Sequence, residues 1–121
     1  MSTNTELGKL GEEIATEFLI KERYQILYNN FRSGHYEIDI IIRDAFTLRF
    51  VEVKTRNDYA KSSVATSLSP KKMNSLKRGI FSFLSTHHDL NRLEIFQDII
   101  IVIVMPDGTH TLEYIPDYMR F

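Results

Sequence analysis

Residues 94–105 are almost solidly isoleucine and valine. A strand without polar alternation needs apolar cover on both faces. The apolar core of the run, residues 99–105, is far too short to span a bilayer, which takes about 20 residues. The spacing predicts two helices able to provide the cover. In residues 5–22, Leu7, Leu10, Ile14 and Phe18 recur at helical intervals, and Ala15 and Leu19 widen the stripe. After Ser69-Pro70, a favourable cap and first helical residue, Met73, Leu76, Ile80 and Phe83 form a second stripe. Lys71, Asn74, Ser75 and Arg78 fall on another face. Gly8 and Gly11 sit inside the first helix despite poor helix propensity, which points to close packing there.

Residues 24–31, 36–43 and 48–56 read as strands, the last two joined by the short connection 44–47. Residues 59–69 lack periodicity and read as a loop. Pro106-Asp107-Gly108 reads as a turn into a last strand over 109–115. The order is helix, three strands, helix, two strands. It predicts an α/β fold, a mixed sheet flanked by helices. At 121 residues the expectation is one domain spanning 1–121. There is no cysteine, so thiolate metal sites and thiol nucleophiles are excluded. The polar start Met1-Ser2-Thr3-Asn4 shows no signal-peptide core, and a cytoplasmic protein is expected.

Charge is unevenly spread. The net charge is −1, yet residues 54–78 carry +6 and the remainder −7. A localised basic segment attracts a phosphate backbone; a solvated helix face explains the same pattern.

The chemistry concentrates in Glu37-Ile38-Asp39 and Val51-Glu52-Val53-Lys54. Alternation along a strand puts Glu52 and Lys54 on one face, and Glu37 and Asp39 opposite Ile38, Ile40 and Ile42. A hairpin closing about Ala45-Phe46 sets Asp39 across from Glu52 and Glu37 across from Lys54. A one-residue slip would mix the apolar and charged faces. Carboxylates facing each other across antiparallel strands repel unless neutralised. Magnesium does this with one or two carboxylates and keeps positions for water and phosphate. Lys54 would then hold a phosphate oxygen or orient the attacking water. The alternative is a structural ion pair, Lys54 with Glu52 or Glu37. By helical phasing Glu12 lies at the edge of the buried stripe and Glu13 on the polar side. His87 and His88 point in different directions near a helix end, where positive charge is favourable. No nucleophile motif and no Gly-rich phosphate loop is present.

Several motifs together resemble one family. They are Gly11-Glu12-Glu13-Ile14-Ala15, Asn30-Phe31-Arg32, Glu37-Ile38-Asp39-Ile40-Ile41, Phe50-Val51-Glu52-Val53-Lys54-Thr55-Arg56, Pro70-Lys71-Lys72, Phe96-Gln97-Asp98-Ile99 and Tyr114-Ile115-Pro116. The chain resembles the YraN-like family of small bacterial proteins, within the restriction-endonuclease-like PD-(D/E)xK superfamily. The resemblance implies an αβββαβ core related to archaeal Holliday-junction resolvases. It also implies an endonuclease, dependent on Mg2+ or Mn2+, acting on DNA that includes branched forms. On that pattern Asp39 and Glu52 bind metal, Lys54 is catalytic, Glu12 approaches from the first helix and Glu37 belongs to the motif. Arg32, Arg56, Lys61, Lys71, Lys72 and Arg78 would contact the nucleic acid. Tyr36 stands where the family usually has glycine, and residues 57–69 lack the glycine usual there. Two further readings stay open: a DNA-binding module that does not cleave, and an assembly role, such as a homodimer through the edge of residues 109–115. No membrane partner is expected.

Overall fold

The computed structural model describes residues 4–57 and 68–121. Helix α1 (Asn4–Lys21) precedes strands β1 (Gln25–Ser33), β2 (Tyr36–Arg43) and β3 (Thr47–Arg56). Helix α2 (Pro70–Thr86), a 3-10 turn (His88–Leu90), β4 (Glu94–Val104) and β5 (His110–Arg120) follow. The five strands form one sheet in the order β1-β2-β3-β4-β5, antiparallel except for the parallel β3–β4 pair. This is a mixed sheet flanked by two helices, consistent with an αβββαβ core. No helix among the described residues is long and apolar enough to cross a membrane.

Each sheet face has its own core. Ala15 and Leu19 of α1 pack with Ile40, Ile42, Val51, Ile100 and Val102. Leu76, Ile80 and Phe83 of α2 pack with Ile38, Ile41, Leu48 and Phe50. The cover expected from two helices for residues 94–105 is met on one face only: Ile100 and Val102 pack with α1, while Ile99, Ile101 and Ile103 form a third cluster with Leu68, Met105, Ile115 and Tyr118. The line that α1 buries differs from the expected one. Gly11, Ala15 and Leu19 face the sheet, while Leu10 is exposed. The cause is Gly11: a Cβ there would collide with the Thr55 side chain of β3, so α1 lies closest to the sheet along that line. Gly8 has open space where a Cβ would stand.

The β2–β3 register is the expected one, with Ile40 opposite Val51, Ile41 opposite Phe50 and Arg43 opposite Leu48. Asp44 closes the connection by accepting from the backbone N–H groups of Phe46 (2.9 Å) and Thr47 (2.7 Å). Two expectations fail beyond Ile40. The ladder stops there, so Asp39–Glu52 and Glu37–Lys54 are not cross-strand pairs. Ile38 also leaves the face of Ile40 and Ile42 and joins the α2 core. Asn30, in the β1 segment beside Asp39, is left-handed (φ 54°). It separates Asn29, which bonds to α1 at Thr16 (3.0 Å), from Phe31, which packs into the α2 core. Alternation therefore breaks at this level in both strands.

The last strand reaches Arg120, beyond the expected residue 115. Pairing shifts between Ile99–Ile115 and Gln97–Met119. Within that bulge the Asp117 N–H donates to the Asp98 carboxylate (2.8 Å), which carries the strand past Pro116. Ser69 caps α2 by accepting from the Lys72 N–H (3.1 Å). At the other end His87 stacks on Phe83, with ring centroids 3.9 Å apart. The loop read over residues 59–69 lies mostly outside the described residues, as does Lys61.

Candidate active site

The end of the β2–β3 ladder makes a fork, and the acidic residues gather there. The Asp39 carboxylate accepts from the Val53 N–H at 2.8 Å, taking a backbone donor that a continued ladder would have used. Glu52, one residue before, is 8% exposed. Glu12 reaches the same place from α1. Together Glu12, Asp39 and Glu52 line a cleft of about 480 Å3 that Gly8, Val53, Thr55, Arg56 and Asn57 complete. The two α1 glycines thus act differently: Gly11 lets the helix approach, and Gly8 leaves the mouth of the cleft open.

A second cleft, about 390 Å3, shares Glu52, Val53 and Arg56 with the first and is lined also by Lys54, Leu68, Ser69 and Lys72. Lys72 Nζ stands 3.2 Å from Glu52 Oε1. The other oxygen, Oε2, is buried with no hydrogen-bond partner. An unpartnered buried carboxylate oxygen is costly, and this one belongs to an acid that lines both clefts.

The electrostatics follow from crowding. Burial, and then the Asp39 charge, push Glu12 up to about 7. The same two causes, in the same order, push Glu52 up to about 7 against the pull of Lys72. Burial also raises Asp39, opposed first by the Val53 N–H and then by Lys72. Burial and the nearby Arg56 guanidinium lower Lys54. Burial would lower Lys72 as well, but Glu52, Asp39 and Glu37 together outweigh it, and the net shift is upward. Perturbed groups of both signs around a cleft are the pattern expected of a functional site.

The sequence-derived residues divide into two sets. Glu12, Asp39, Glu52, Lys54 and Arg56 converge on the clefts. Lys72 joins them, although the sequence placed it only among the basic residues for a nucleic-acid backbone. Glu52 forms an ion pair with Lys72, which the sequence did not suggest, and its charge also attracts Lys54. Glu37 lines neither cleft and pairs with the exposed Arg32 at 3.5 Å. Lys71 is exposed. Arg78 is exposed too and donates to the Tyr36 hydroxyl (3.3 Å). Tyr36 packs against α2 beside Gly79 and lines neither cleft, so it does not close the site that glycine usually adjoins.

A partly buried ionic cluster lies away from the clefts. Arg49 Nη1 contacts Asp98 (3.1 Å) and Asp117 (2.6 Å). The Tyr114 hydroxyl donates to Asp98 (2.5 Å), and Arg49 stacks over Phe96. Its members come from three strands and are joined through the parallel β3–β4 register, which no local pattern reveals.

The residues suit a hard divalent cation in one specific sense. Among the described residues no group of three or more histidine or acidic side chains could hold a metal ion. The site instead offers two carboxylates, Asp39 and Glu52, the second with its Oε2 buried and bare, a donor set that magnesium completes with water.

A family model described as uncharacterised protein family UPF0102 matches residues 11–102. A UPF0102 protein of Dictyoglomus turgidum is 37% identical over 115 residues, covering 94% of this chain and 97% of the relative. Another, from Pelobacter propionicus, is 36% identical over 114 residues, or 93% and 81%. One from Trichlorobacter lovleyi is 33% identical over 115 residues, or 94% and 90%. The matched segment contains Glu12, Asp39, Glu52, Lys54 and Lys72.

Proposed function

The chain belongs to the uncharacterised protein family UPF0102, and from that premise and its clefts we propose that it is a divalent-metal-dependent DNA endonuclease of the restriction-endonuclease-like superfamily. The observation that carries this reading is the buried Glu52 carboxylate. It has one bare oxygen and lines both the cleft of Asp39 and that of Lys54 and Lys72. Asp39 and Glu52 would hold Mg2+ or Mn2+. When bound, the ion supplies Lewis-acid polarisation of a phosphoryl oxygen and a water of lowered pKa.

The protein's own groups do the rest. The Val53 N–H fixes the Asp39 carboxylate in place. Glu12, raised to about 7 beside Asp39, exchanges a proton near neutrality, where a general acid or base is most effective. Lys54 and Arg56 face the second cleft and offer positive charge to a phosphodiester as it gains negative charge. Branched DNA is the substrate class to try first, because the residues resemble those of junction resolvases.

The test is cleavage of branched and single-stranded DNA with Mg2+ or Mn2+. Wild type is expected to cleave, and Asp39→Ala and Lys54→Ala to lose activity by about 100-fold or more. Equal activity in all three proteins rejects the mechanism. One observation favours a second reading, a module that binds DNA without cutting it: Lys72 already neutralises Glu52. That reading predicts salt-sensitive binding that persists without metal and yields no product.

A further inference from the structure

The Glu52 carboxylate is used unequally. Oε1 takes the Lys72 ammonium at 3.2 Å, while Oε2 is buried and bare. The two partners also differ in freedom. The Glu52 side chain is 10% exposed and the Lys72 side chain 46%. Lys72 belongs to the first turn of α2, on a long flexible stem, beside the cleft that Lys54, Arg56, Leu68 and Ser69 line.

We propose that Lys72 is an exchangeable counter-cation, which neutralises Glu52 in the metal-free site and yields the carboxylate when a divalent ion binds. This rests on the metal-dependent reading above and adds a competitor to it. Two cations cannot share one carboxylate cheaply in a site this buried, where charges a few ångströms apart interact far more strongly than in water. The Glu52 side chain is the more enclosed of the two, so Lys72 is the group that leaves. Its ammonium then turns into the adjoining cleft, toward the position of a phosphate oxygen. Without Lys72 the metal-free fold would hold a buried carboxylate that has lost an ion-pair partner, a strongly destabilising state. The lysine therefore lets the site exist empty, at the cost of weaker metal binding.

The experiment measures Mn2+ binding to the full chain by calorimetry, with thermal unfolding as a second readout. Lys72→Met is expected to bind Mn2+ about tenfold more tightly than wild type, because the competing charge is gone. Lys72→Gln, which can keep a hydrogen bond to Oε1, is expected to tighten binding likewise. Lys72→Arg keeps the charge and should stay within about threefold of wild type. Lys77→Met removes the same charge further along α2 and should change affinity by no more than about twofold. Without metal Lys72→Met should melt below wild type, and Mn2+ should raise its melting temperature by more than it raises that of wild type. If wild type binds Mn2+ and both Lys72→Met and Lys72→Gln bind equally or more weakly, the counter-cation role is wrong while the metal site stands. If neither wild type nor any variant binds Mn2+, the metal site falls and this inference with it.

Discussion

At the scale of single residues, Asp39 and Glu52 oppose each other inside the fold, and each raises the free energy of the other's charged form. An ordinary structural ion pair loses about 3–5 kcal/mol when one buried partner is removed. A repelling pair held for a ligand does not. Asp39→Asn keeps an acceptor for the Val53 N–H and removes one negative charge. The metal-free variant is therefore expected to be within about 1 kcal/mol of wild type in urea unfolding, with Mn2+ affinity lost. A loss of several kcal/mol would assign Asp39 a purely structural role. The raised carboxyls also fix a pH dependence. Glu12 and Glu52 keep their protons to about 7 when folded but release them near 4.5 when unfolded. Between those values the folded chain binds more protons, so stability is present at the acid end and is lost as pH rises through about 7. Urea unfolding in chelator should show a less stable protein at pH 8 than at pH 5, and a divalent ion should narrow the gap. Stability that is flat or rising over that window contradicts the assignment.

At the scale of elements, the site depends on how close α1 lies to β3. Gly11 makes that approach possible, and the next residue, Glu12, is carried into the cleft. Gly11→Ala drives a Cβ into the Thr55 side chain. Overpacking of this kind costs about 1–3 kcal/mol. It should also weaken Mn2+ binding, because Glu12 is displaced with the helix. Thr55→Ala in the same chain should recover part of both losses, a non-additivity that a double-mutant cycle measures. Much of this level was legible in the sequence. The two glycines inside an apolar stripe predicted a close approach, which holds at Gly11 and not at Gly8, phasing turned Glu12 inward and Glu13 outward, and the hairpin register followed from keeping Ile40 and Ile42 off the charged face. The fork was not legible. It arises where left-handed Asn30 breaks alternation and where the Asp39 side chain substitutes for a ladder bond, and neither event leaves a periodic signature.

At the scale of the whole molecule, the parallel β3–β4 crossover does what local sequence cannot announce. It carries α2 across the sheet so that Lys72 meets Glu52, 20 positions away in the chain. It also aligns Arg49 with Asp98 and, through β5, with Asp117. Within the basic segment Lys71, Lys72 and Arg78 are all exposed, and the fold sets only Lys72 against Glu52, a distinction that charge counting misses. The Arg49 cluster joins the edge strand to the centre and shares no residue with the clefts. Arg49→Met leaves Asp98 buried without its cation and should cost about 3–5 kcal/mol in urea unfolding, while the folded variant keeps wild-type Mn2+ affinity. Parallel losses of stability and affinity would instead mean that the edge strand shapes the site. A crystal of the full chain soaked in Mn2+ and read by anomalous scattering tests the metal site itself. One peak is expected between the Asp39 and Glu52 carboxylates, with Lys72 withdrawn from Oε1. No peak there at saturating Mn2+, with Lys72 still bonded to Glu52, contradicts that site.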